Sequence, residues 1–115
     1  MSIPPEIQST IERLNFELDY IQQQIKHGLA ILRPLLDRFP NNNLLVQFYG
    51  YLNNSLFLVD VYKRRIQIII ELLRRETLSL EKIQSVGEEL NNLQGKTIES
   101  KIGLENIVQR LEALL

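Results

Sequence analysis

A chain of 115 residues, 44% hydrophobic and 23% charged, has enough apolar material for one globular domain without metal or disulfide support. Thirteen basic and fourteen acidic side chains leave a net charge of -1, which sets the protein apart from the strongly basic class of polyanion binders. There is no cysteine, so disulfides and thiolate chemistry are excluded, and no apolar run approaches the roughly 18 residues of a membrane span.

The opening MSIPPEIQST lacks both the basic start and the apolar centre of a secretory signal, so a cytoplasmic location without membrane contact is expected. Pro4 and Pro5 suit a first helical turn, where no N–H partner is needed, and Glu6 suits the positive end of the helix. A first helix is predicted over about 4–39. Its apolar residues Ile7, Ile11, Leu14, Leu18, Ile21, Ile25, Leu32, Leu35 and Phe39 follow alternating steps of four and three, with Gly28 as the one gap. Pro34 falls inside this pattern and is expected to bend the last turns without ending them. Phe39-Pro40 stops the helix, because a residue before proline is pushed out of the helical region.

Asn42 or Asn43 then supplies an N-cap for a second helix over about 43–76. Its stripe is Leu45, Phe48, Leu52, Val59, Tyr62, Ile66, Ile69 and Leu73, flanked by Leu56 and Ile70 and interrupted at Ser55. Ser79 reads as the next cap, with Leu78 and Ile83 placed as a hydrophobic staple and Glu81 in the first turn. The third helix is predicted over about 79–114 on Ile83, Val86, Leu90, Leu93, Thr97, Ser100, Leu104, Ile107, Leu111 and Leu114. Gly95 and Gly103 weaken it, and a break near Gly95 would yield four helices. The uninterrupted phase favours one.

The expected fold is all-α: an antiparallel up-down-up bundle of three long helices, each about 50 Å long at 1.5 Å per residue. Two of the helices carry more apolar surface than one seam requires. Phe57, Val61, Ile68 and Leu72 sit roughly 180–240° around the wheel from Ile66, in a line of 4-7-4 spacing down the back of the second helix. Phe16, Tyr20, His27 and Ile31 repeat that spacing on the first. The third helix is expected to turn Glu, Asn, Gln and Ser outward. Contiguous exposed apolar stripes mark interaction surfaces, so these eight residues are the candidate oligomer interface. The expected partner is a second copy, as a homodimer or higher homo-oligomer whose helices join in an intermolecular bundle; another protein is the alternative partner.

Lys63, Arg64, Arg74 and Arg75 share one side of the second helix and form a candidate anion-binding stripe. They carry the alternative reading, a small helical subunit of a nucleic-acid-associated complex. Asp60 and Glu71 lie among them, and a nearly neutral chain argues against nucleic acid as the partner. His27 is the sole histidine and has no carboxylate cluster or second histidine around it in the helical pattern, so neither a metal nor a cofactor is expected. The GKT at Gly95–Thr97 lacks the earlier glycine and the preceding strand of a phosphate loop. No nucleophile–base pairing can be assembled, and the chain is read as non-enzymatic. Thr97 and Ser100, polar at core-phase positions, allow close helix packing or a small enclosed ligand cavity.

Overall fold

A computed structural model of the chain describes residues 3–75 and 77–115. Met1 and Ser2, the start of the MSIPPEIQST stretch, and Glu76, the expected last residue of the second helix, lie outside the described residues. Three helices run α1 (Pro5–Arg38), α2 (Asn43–Arg75) and α3 (Leu80–Glu112), in a rod measuring 57 × 19 × 17 Å. α3 passes through Gly95 and Gly103 without interruption.

The boundaries follow from local chemistry. Pro5 occupies the first turn of α1, and Pro34 lies within a helix that continues one further turn to Arg38. Asn42 caps α2: its Oδ1 accepts from the Leu45 N–H at 3.1 Å, and its carbonyl accepts from Val46 at 3.0 Å. Ser79 is extended and its Oγ accepts from the Lys82 N–H at 3.1 Å, which satisfies one donor at the start of α3.

The three seams merge into one hydrophobic cluster running the length of the rod. α1 is its centre. That helix packs along both neighbours, whereas α2 and α3 touch each other far less. Every residue of the expected α2 stripe is buried or packed against the core, Ser55 included. On α1 the stripe holds from Ile7 to Leu32 and widens to take in Leu29 and Ile31. Phe39, expected within it, lies beyond the helix end and is exposed. On α3 the last turns shift in phase: Val108 is buried while Ile107 is only half-buried, and Leu114 falls past the helix end and is exposed.

Two glycines set helix separation. A Cβ at Gly28 would stand 3.3 Å from Leu52 Cδ1 and 3.4 Å from Val108 Cγ2, so α1, α2 and α3 converge on a residue without a side chain. At Gly103 the Tyr51 hydroxyl of α2 fills the space a Cβ would need. Among the described residues no helix is long and apolar enough to cross a membrane.

Candidate interaction surface

Because α2 meets α1 along one stripe and α3 only lightly, its far side stays open. Phe57, Val61 and Ile68 are 63%, 38% and 55% exposed, and Leu72 is half-buried. They follow one another down the helix across about 22 Å, as their spacing dictates. Val61 and Ile68 also form one lip of a furrow of about 450 Å³ between α2 and α3, floored by Tyr62 and Leu93 and edged by Arg65, Glu89, Asn92 and Lys96.

Four of the basic groups on α2 are held in ion pairs. Arg64 meets Asp60 one turn earlier at 2.6 Å, and Arg75 meets Glu71 at 3.7 Å. Arg65 donates through Nε to Glu89 of α3. That hydrogen bond, with the attraction of the carboxylate behind it, pushes the guanidinium still higher than its usual range. Lys63 reaches across to α1, to Asp19 Oδ1 at 2.6 Å and Gln22 Oε1 at 2.9 Å. Among the described residues Arg74 has no carboxylate partner. The anion-binding candidates Lys63, Arg64 and Arg75 thus already hold acidic groups, which reduces the positive field that a phosphate would feel.

The matching line on α1 does not form an exposed ridge. Ile31 is 9% exposed and belongs to the core. Tyr20 is half-buried against that core, with the Lys101 ammonium 5.1 Å above its ring. His27 is solvent-facing, with its Nε2 3.5 Å from Glu112 Oε1 of α3. Phe16 is the one apolar member of the four left exposed. The reason lies in the position of α1 between two neighbours, which covers a wider arc than a single stripe.

α3 holds what its pattern concealed. Ile98 and Ile102, one turn apart, are exposed beside a furrow of about 300 Å³ shared with Arg13, Leu14 and Glu17 of α1. Their spacing of four is the signal in the sequence, masked by the polar and glycine residues on either side of each. Lys101 spans the same furrow to Glu17 at 3.1 Å, and this hydrogen bond raises its pKa above the ordinary ammonium value. Thr97 is buried beneath it and donates to its own helix at the Leu93 carbonyl, 2.7 Å away; Ser100 is half-buried. The space beside Thr97 is a furrow open to solvent.

Among the described residues no group of three His, Cys, Asp or Glu side chains is placed to hold a metal. No family model matches the chain, and no match was found among curated proteins or solved structures.

Proposed function

We propose that this is a non-enzymatic, cytoplasmic helical-bundle protein that works by association, and that it binds a second copy of itself through the exposed ridge of α2. The observation carrying this reading is the line of Phe57, Val61, Ile68 and Leu72, large apolar side chains left uncovered or half-covered by a chain that otherwise buries its stripes. Covering them removes apolar area from water at about 25 cal/mol per Å², the dominant gain available to this surface. The α1 line contributes less, since Ile31 is buried and Tyr20 is half-buried against the core.

The ion pairs support this reading over the nucleic-acid alternative. A polyanion would have to displace Asp60 and Glu71 or accept their repulsion, whereas a rim of balanced pairs suits a protein surface. Light scattering on the wild type and on Val61→Glu/Ile68→Glu at tens of micromolar tests the proposal. The wild type is expected at twice the chain mass of 13.5 kDa or more, and the variant at the chain mass with unchanged helical circular dichroism. A wild type that remains at the chain mass overturns it.

A further inference from the structure

Two cross-contacts fix how α2 and α3 face one another. The Tyr51 hydroxyl of α2 lies against Gly103, and Arg65 donates to Glu89. As the chain advances along α2 it retreats along α3, so on this register Val61 stands level with Leu93, and Lys96 lies just under a turn beyond. The furrow of about 450 Å³ between the two helices is found here, walled by Val61 and floored by Tyr62 and Leu93. That volume falls in the range of small-molecule sites, which hold an apolar body and orient it with few polar groups.

The charges lining this furrow leave one positive side chain over. Arg65 and Glu89 neutralise each other, and Arg64 holds Asp60 at 2.6 Å. Lys96 is exposed, lines the furrow and has no carboxylate partner among the described residues. Asn92, one turn earlier on the same wall, adds an uncharged amide. An apolar floor beside a single unpaired cation is the complement of an amphiphile with one negative head group. We infer that the α2–α3 furrow binds a medium-chain carboxylate, with its head group on Lys96 and its apolar body against Val61, Tyr62 and Leu93.

A helix from another protein fits this furrow less well. The Arg65–Glu89 pair bridges α2 and α3, and a helix about 10 Å across lying along the furrow would be held off its floor. A small amphiphile enters at the Val61 end without displacing the pair. The furrow between α1 and α3 lacks the same selectivity: Arg13 and Lys101 there are balanced by Glu17 and Glu105, so neither sign of charge is favoured.

The inference does not rest on self-association, although Val61 belongs to the α2 ridge as well. Decanoate, decanol and decyltrimethylammonium are titrated into the protein and followed by amide NMR shifts. The titrations are repeated on Phe57→Ser, which trims the ridge outside the furrow, so that a second copy covering Val61 does not hide binding. Decanoate is expected to shift amides around positions 61–65 and 92–96, and to bind about tenfold more tightly than the cationic analogue. Lys96→Glu should weaken decanoate about tenfold and leave decanol unchanged, with the same helical circular dichroism. Val61→Ser should weaken all three ligands. No saturable shift with millimolar decanoate in either chain, shifts centred elsewhere, or equal decanoate affinity in the wild type and Lys96→Glu overturns the inference. None of these results bears on the mass of the unliganded protein, so self-association is judged separately.

Discussion

Gly28 of α1 lies close against Leu52 of α2: a methyl group at position 28 would sit 3.3 Å from Leu52 Cδ1, tighter than ordinary van der Waals contact, and Leu52 is fully buried. Gly95 differs, since nothing lies within 4 Å of where its Cβ would be. Gly95→Ala is therefore expected to stabilise the protein by about 1 kcal/mol, the helix-propensity difference alone. Gly28→Ala gains the same propensity but crowds a close-packed level at a cost of about 1–3 kcal/mol. It should fall at least about 1 kcal/mol below Gly95→Ala. Urea midpoints of the two variants side by side check this, and equal midpoints would show that the Gly28 level yields.

Neighbouring positions on α2 separate folding from association. Ile66 is wholly buried, and Ile68, two residues on, is largely exposed. Ile66→Ala should cost about 2–5 kcal/mol of folding stability through lost burial and a residual cavity. Ile68→Ala should leave the stability of the isolated chain within about 0.5 kcal/mol. Under the proposed self-association, its effect is expected instead as a lower mass in light scattering at tens of micromolar. Unfolding followed at high dilution distinguishes the two. Similar losses for both would mean that Ile68 is covered within one chain.

The two caps can be removed singly. Asn42→Ala and Ser79→Ala each leave an unsatisfied N–H at a helix start and should each cost about 1 kcal/mol. The sites are at separate helix starts and share no partner, so the double variant should lose nearly the sum. Thermal melts monitored at 222 nm report it. A replacement by Asp at either position should restore most of the loss.

Alkaline pH should loosen the contact between α1 and α3. Lys101 has its folded pKa raised, chiefly by the hydrogen bond to Glu17, so its charged form is favoured in the native state. The sign follows: this contribution is complete below the unfolded lysine value of about 10.4 and is lost as pH rises through the higher folded value. Lys101→Gln should therefore lower the urea midpoint at pH 8 and converge with the wild type above that window. The pair is partly exposed and screened, so added salt should also narrow the difference. A gap between the two proteins that persists undiminished at pH 12 would assign the lysine's role to its packing over Tyr20.

The sequence by itself determined where the helices begin and end, because those signals act within a turn: Pro5 at an N-terminus, the Asn42 and Ser79 side chains on nearby N–H groups, and Pro40 forbidding the helix before it. It also determined the seams, since a period near 3.6 puts Ile21, Leu52, Ile66 and Leu90 on faces that must leave water whatever they meet. What it left open was how wide each buried arc would be. That depends on how many neighbours a helix has. α1, held between the other two, covers Ile31 and half-covers Tyr20, whose spacing matches that of residues that α2 leaves in solvent. The exposure of Phe57, Val61 and Ile68, the pairing of Arg65 with Glu89, and the replacement of Ile107 by Val108 in the core were decided only when three helices took their relative rotations, because those contacts join residues that no local pattern relates.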